Sequence, residues 1–269
     1  MATSHDGSKL NQSVQKAITL LRATAASSEG ASVSALARTA GLPRATALRL
    51  IQTLEQDGFL LRVPQGDRVV LGPELVRLAR QVDMGTLVRE VAHSRLGELG
   101  DAVRETVTLS VVAPDGGLDL VHQVAGPQHL VPRSWLGQRF PPHASSSGKI
   151  LLSTYDEERL ERWLRDPLPA LTTHTITGRR ALRRELERVR AQGYATTIDE
   201  LEEGLAGVSV GIFGESDALV GVINVSGLSQ RLDEAARRRA AAHMKDVVDD
   251  IEAALRHGRR PAPPVSTRS

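Results

Sequence analysis

Apolar residues recur at i, i+3, i+4, i+7 in three successive stretches near the N-terminal end of the chain. The sets are Val14, Ala17, Ile18, Leu21; Val33, Leu36, Ala37, Ala40; and Ala47, Leu50, Ile51, Leu54. That spacing lays each set along one face of a helix, so three helices with one buried stripe apiece are predicted. "SSEG" and Gly41 separate them, Pro43 suits the first turn of the third helix, where its missing N–H costs nothing, and Gly58 closes that helix. The pattern then changes: "FLLRV" and "RVVLG" flank the turn signal "PQGD", which predicts a hairpin. Residues 73–83, "PELVRLARQVD", read as a helix leaving this unit.

From Gly85 a long amphipathic helix runs to about Val103. "TVTLSVVAP" and "LDLVHQVAG" around "DGG" predict a second hairpin. "DEERLERWLRD" and "RRALRRELERVRAQG" are helical, and "GVSVGIF" and "ALVGVINVSG" read as buried strands joined by "GESD". Met244, Val247, Val248, Ile251 and Leu255 form the stripe of a closing helix. Strands and helices interleave without a fixed period, which predicts an α+β fold with a mixed or antiparallel sheet and no internal repeat. The Pro- and Arg-rich tail "HGRRPAPPVSTRS" is expected to be disordered.

Composition sharpens this picture in three ways. The 269 residues, 41% hydrophobic, are enough for one large domain or two smaller ones. The net charge of +2 is unevenly spread: residues 1–80 carry ten lysines and arginines against six acidic residues, the remainder twenty-four against twenty-six. A basic module followed by a near-neutral one suits a polyanion partner at the N-terminal end. No cysteine is present, which excludes disulfides and thiolate metal sites. Neither an apolar run near the ~18 residues of a membrane span nor a secretory core in "MATSHDGSKLNQ" is found, so a cytoplasmic protein without membrane association is expected.

The second and third helices have the spacing of a helix-turn-helix. Its first helix needs a small inner residue and its turn must tolerate positive φ; Ala37 and Gly41, four apart, meet both needs. With Ala47, Leu50, Ile51 and Leu54 turned inward, Arg44, Ala45, Thr46, Arg49, Gln52 and Thr53 face outward. Arginines there suit phosphate or guanine, and threonine suits phosphate or a thymine methyl. Arg62 and Arg68 on the hairpin would lie beside the helix as a wing, on a neighbouring phosphate run or minor groove. Double-stranded DNA is the expected partner. The plainer alternative is a helical hairpin whose arginines are merely solvated.

The run "SVQKAITLL…VSALARTAGLPRATALRLIQTLEQDGFLLR", with "PPHASSSGKILLS", "VRAQGYATTIDELEEGLAGVSVGIF" and "ALVGVINVSGL", resembles the IclR family of bacterial transcriptional regulators over roughly residues 13–257. The resemblance implies an N-terminal winged helix-turn-helix joined by a linker helix to a GAF-like mixed α/β ligand-sensing domain. It also implies a homodimer, or a dimer of dimers, on a pseudo-palindromic operator. The expected divisions are a tail at 1–12, the winged helix at 13–72, the linker helix at 73–84, the effector domain at 85–257 and a tail at 258–269.

Candidate chemistry in the second half divides into a sensor and an enzyme. "HASSSGK" fails as a phosphate-binding P-loop, because His143 stands at its first glycine and Ile150 at its final hydroxyl. Its serines instead open a helix whose N-terminal amides favour a small carboxylate. By the resemblance, the backbone amides holding such an acid map to Ser146 and Ser147, with Thr197, Gly207, Asn224 and Ser226 around the pocket. Asn224 and Ser226, two apart on a strand, share a face. His129 borders the pocket, and Phe140 and Trp135 offer apolar walls. An acidic residue near Thr197 and a cysteine near Gly207, common in the family, are absent, which implies a less acidic and roomier pocket for an aromatic acid rather than a short oxo acid.

"GVSVG" matches G-x-S-x-G, and Asp217 and His243 follow in the order of a hydrolase triad. Strand-like sequence on both sides of Ser209 disfavours that enzyme, since a nucleophile elbow needs a strand-to-helix turn. The eight histidines show no H-x-H or H-E-x-x-H pairing, so neither a metal nor another cofactor is expected. The competing readings are a serine hydrolase at Ser209 and an architectural winged helix without a ligand.

Overall fold

The computed structural model describes residues 11–27, 29–63, 68–126, 139–214 and 217–257, which form two compact units dividing between Asp83 and Met84. The first unit contains α1 (Gln12–Ala25), β1 (Ala31–Ser32), α2 (Val33–Thr39), α3 (Arg44–Gln56), β2 (Leu60–Val63), β3 (Arg68–Leu71) and α4 (Pro73–Ala79). Leu20, Val33, Leu36, Ala37, Ala47, Ile51, Leu60 and Val69 make its core. Between α2 and α3 the chain reverses at Gly41, whose φ of +63° is a left-handed conformation that glycine adopts without Cβ strain. Pro43 is not in the first turn of α3 but caps it, with an extended backbone at ψ 139° and its carbonyl accepting from the Ala47 N–H.

Two expectations for this unit fail at its edges. Val14 and Ile18, assigned to the buried stripe of α1, are 55% and 43% exposed, because the core meets α1 only through its later turns at Leu20, Leu21, Ala23 and Thr24. The helix expected over 73–83 stops at Ala79, and the next helix starts at Met84. α4 buries no residue, and a short helix without a packed face has little to extend it. The hairpin of β2 and β3 is present in antiparallel register, and β1 adds a third strand in the order β1-β3-β2. β1 escaped the sequence because two residues carry no alternation. The "PQGD" turn, residues 1–10 and residues 258–269 lie outside the described residues, while Asn11 and Gln12 of the expected N-terminal tail cap and open α1.

The second unit contains α5 (Met84–Val103), β4 (Thr106–Val112), β5 (Leu118–Val124), a 3₁₀ turn (Pro142–Ala144), α6 (Ser146–Ser153), α7 (Glu157–Trp163) and α8 (Arg179–Gln192). It continues through β6 (Ala195–Ile198), β7 (Leu205–Phe213), β8 (Leu219–Leu228) and α9 (Glu234–His257). The sheet runs β5-β4-β8-β7-β6 and is antiparallel throughout, so the mixed alternative falls.

Strand alternation sorts its two faces. Val107, Leu109, Ala206, Val208, Val210, Ile223 and Val225 join α5 and α9 in one core, with Leu96, Met244 and Ile251 from the helices. On the opposite face α6 and α8 pack through Ile150, Val189, Ala195 and Val222, leaving small and polar residues of β4, β7 and β8 beneath the start of α6.

The segment "TTIDELEEGLAG" is a loop only in its middle. Thr197 lies on β6 and Gly207 on β7, directly opposite one another in register. α6 starts hard against the preceding 3₁₀ turn: a Cβ on Gly148 would fall 2.3 Å from Pro142 Cα, so only glycine allows this approach.

Candidate functional site

α3 presents the outward face that its periodicity predicts. Ala47 and Ile51 are fully buried, whereas Arg44, Ala45, Arg49, Gln52 and Thr53 are exposed and Thr46 is half-buried. The Arg44 Nε donates to Ser34 Oγ at 3.0 Å, which anchors the first turn of α3 to α2. Thr53 turns its hydroxyl back to the Arg49 carbonyl at 3.1 Å. Among the described residues the Arg49 guanidinium takes no protein acceptor.

The hairpin arginines are engaged. Arg62 pairs with Glu55 of α3 at 3.1 Å, fastening β2 to the helix, and Arg68 pairs with Glu29 at 3.4 Å on the open surface. The Arg62–Glu55 pairing braces the hairpin against α3. The exposed Arg68–Glu29 pair is worth about 0–1 kcal/mol.

In the second unit a cavity of about 300 Å³ opens at the N-terminal end of α6. It brings together Phe140, Ser146, Ser147, Thr197, Gly207, Asn224 and Ser226, all named from the sequence. His129 and Trp135 lie outside the described residues. Ser145 caps α6 by accepting from the Gly148 N–H at 3.1 Å. The backbone N–H groups of Ser146 and Ser147, at the positive end of the helix dipole, have no acceptor among the described residues.

Thr108 and Ser110 of β4 also line the cavity, with Leu118, Leu120, Leu151, Leu201 and Leu205 as apolar wall. The β4 hydroxyls were missed although "TVTLSVV" carries the signal: its polar residues alternate with the buried Val107, Leu109 and Val111. Arg139 alone of the described lining residues is charged, and it is already bound to Asp115 and, at 3.0 Å, to Asp119. The Arg139 guanidinium holds the Asp115 carboxyl below the usual carboxylate range, with the Gly117 N–H adding to the effect.

Behind the cavity, Lys149 of α6 is fully buried and missed by the sequence reading, because a helical lysine is ordinarily solvated. Its ammonium donates to Glu200 Oε1 at 2.6 Å and to the Thr196 carbonyl at 3.2 Å, with Glu185 Oε1 at 3.8 Å. Burial raises the Glu200 carboxyl above its ordinary range, and the Lys149 charge and hydrogen bond work against that rise. Lys149 thus ties α6 to the segment bearing Leu201.

Ser209 sits in the middle of β7, with strand on both sides, and not at the strand-to-helix turn that a nucleophile requires. His122 packs edge-on against His93 at 4.9 Å, and burial, then the His93 charge, lower its affinity for a proton. Among the described residues no group of three or more His, Asp or Glu converges as a metal site would require. No described helix is long and apolar enough to cross a membrane.

Comparison with known families resolves the pairing of an exposed α3 face with a cavity at α6. The family described as IclR helix-turn-helix domain matches residues 13–64, and that described as bacterial transcriptional regulator IclR C-terminal matches residues 82–253. The chain belongs to the IclR family of transcriptional regulators. As an IclR-family helix-turn-helix protein it binds operator DNA.

Among its relatives, the HTH-type transcriptional regulator Rv1719 of Mycobacterium tuberculosis is 36% identical over 211 residues, covering 78% of this chain and 80% of that protein. An IclR transcriptional regulator from a Silicibacter species superposes with a TM-score of 0.69 at 25% identity, over 96% of this chain and all of that one. An IclR homologue of Microbacterium hydrocarbonoxydans, solved in complex with 4-hydroxybenzoate, has a TM-score of 0.58 at 26% identity, over 91% of this chain and 99% of that one. Within the IclR-type effector domain, the lack of a side chain at Gly207 is a feature of this chain's cavity. A Cβ there would stand 2.9 Å from Ser146 Oγ, 3.2 Å from Thr197 Oγ1 and 3.3 Å from Asn224 Oδ1.

Proposed function

We propose that this regulator reads operator DNA with the outer face of α3 and that a small aromatic monocarboxylic acid in the α6 cavity modulates that binding. The observation that carries the effector reading is the composition of the cavity. Two helix N-terminal amides and a set of hydroxyls line it together with leucines and Phe140, and the one cation among the described lining residues is held by two aspartates. A carboxylate suits the amide end, where partial positive charge is fixed in place.

A ring covers apolar wall that a two- or three-carbon oxo acid would leave bare, and the volume is at the low end of the roughly 300–1,000 Å³ of small-molecule sites. Arg139, with two aspartates on it, offers little to a second carboxylate. The 4-hydroxybenzoate in the Microbacterium homologue is consistent with this class.

On the DNA side, Arg44, Thr46 and Arg49 are proposed to contact phosphates and base edges in the major groove, with Ala45, Gln52 and Thr53 beside them and Arg68 on adjoining phosphate. Arg62 acts through Glu55 by holding the hairpin against α3. Two copies on a pseudo-palindromic site fit the exposed apolar Val14, Ile18, Val76 and Val82 of the DNA-binding unit, which a second copy would cover. The acid shifts operator binding only if it binds two arrangements of the assembly with different affinity.

Thermal-shift screening tests the ligand class. Benzoate and 4-hydroxybenzoate are expected to raise the melting temperature, and stabilisation by glyoxylate and pyruvate alone would overturn the assignment. At a ligand concentration 100 times Kd the expected stabilisation is about 2.7 kcal/mol. Gly207→Cys is expected to erase the shift with ring acids while leaving the fold intact, because the new side chain enters the space between Ser146, Thr197 and Asn224. An undiminished shift in that variant would place the ring elsewhere.

A further inference from the structure

The G-x-S-x-G serine has no nucleophile's geometry, yet it is fully buried, with its hydroxyl oxygen within hydrogen-bond distance of three polar groups at the start of α6 and on β8. Ser209 Oγ lies 2.8 Å from Ser146 Oγ, 3.1 Å from Ser147 Oγ and 3.1 Å from Asn224 Oδ1, while Ser146 Oγ reaches Asn224 Oδ1 at 3.0 Å. Asn224 Nδ2 then donates to Thr108 Oγ1 at 3.3 Å. Ser209 itself is not among the residues lining the cavity. We propose that Ser209 is a positioning residue of the effector site, a buried hydroxyl that fixes the Ser146, Ser147 and Asn224 side chains without touching the bound acid. This role rests on the effector reading given above.

The proton count supports a directed chain. Each serine hydroxyl has one proton to give. Ser147 donates to Ser209, Ser209 to Ser146, and Ser146 to Asn224; the Asn224 amide then donates to Thr108. Every serine O–H is used once, so Ser209 reaches Asn224 through Ser146 and not directly, and the Thr108 hydroxyl, which lines the cavity, keeps its own proton to offer a ligand.

The consequence for α6 follows from what a loose serine does in a first helical turn. An untethered hydroxyl swings back to bond nearby backbone groups, and so competes for the N–H donors that a carboxylate would use. Ser209 holds both hydroxyls toward the sheet, which leaves the Ser146 and Ser147 amides to the cavity. The flanking Gly207, on the same face of β7, lets α6 approach closely enough for these bonds: a Cβ there would stand 2.9 Å from Ser146 Oγ.

The test is calorimetric titration of the full-length chain and its Ser209→Ala variant with benzoate and with benzyl alcohol, its uncharged counterpart. Loss of the tether is expected to weaken benzoate by about tenfold and benzyl alcohol by about twofold or less, since one to two hydrogen bonds' worth of orientation falls on the anion alone. Ser209→Cys, with a weak donor in the same place, is expected between the two and carries the comparison if the alanine variant melts too early to titrate. Equal weakening of both probes, or none, would overturn the positioning role while leaving the effector reading standing. A wild-type chain that binds neither probe would overturn both.

Discussion

Arg49→Ala is expected to weaken operator binding by about ten- to a hundredfold, the loss that follows removal of a guanidinium from a guanine or a phosphate pair. The side chain is exposed on α3 between the buried Ala47 and Ile51, and alanine is the better helix former at that position. The melting temperature should therefore not fall. Salt titration of a gel shift distinguishes the two kinds of contact. A lost phosphate contact lowers the slope of log affinity against log salt by about one, whereas a lost base contact relaxes sequence preference. Arg62→Ala should behave differently: its pairing with Glu55 is internal, so stability falls along with affinity. Unchanged operator binding in Arg49→Ala would show that another surface reads the DNA.

The largest effect on stability is expected from Lys149→Met. Removing the fully buried ammonium leaves the Glu200 and Glu185 carboxylates facing each other without their shared cation, and breaking such a buried pair costs about 3–5 kcal/mol. The pH dependence has a definite sign. Burial already raises the Glu200 carboxyl, and the two Lys149 contributions that oppose the rise vanish in the variant. A carboxyl raised in the folded state favours folding below its unfolded value and loses that contribution as pH rises through the folded value. The deficit of Lys149→Met should therefore be smallest in mild acid and grow toward neutral and alkaline pH. Denaturant melts across that range check it, and a deficit that shrinks as pH rises would contradict the assignment. Lys149→Met/Glu200→Gln should recover part of the loss, because the amide needs no counter-charge.

These two residues mark the contrast between what the chain's pattern declares and what only packing reveals. Arg49 was legible because a helix with period 3.6 sorts its residues by face, and Ala47 and Ile51 fix which face is inside. The cavity serines, Asn224 and Ser226 were named through the resemblance to the IclR family, and strand alternation added only that the last two share a face. Periodicity failed on Val14 and Ile18 because it shows that a stripe exists but not how far the core extends beneath it. It failed on β1 and β6 because strands of two and four residues at sheet edges carry almost no alternation. Lys149 was invisible for a different reason: nothing local separates a buried lysine from a solvated one, since its partners Glu185 and Glu200 come from distant segments. Ser209 was noticed for the wrong chemistry, and its hydroxyl partners lie 62 and 63 residues away on α6.

The central claim, that an acid bound at α6 alters the hold of α3 on DNA, is tested most directly by one gel-shift titration. The DNA is the region upstream of the protein's own gene, and the protein is titrated alone and with benzoate, 4-hydroxybenzoate, glyoxylate and pyruvate. A salt-dependent, sequence-specific complex whose midpoint moves with the benzoates and stays fixed with the oxo acids is the expected result. Binding indifferent to DNA sequence and to every acid would contradict it, and would mark the protein as an architectural winged helix.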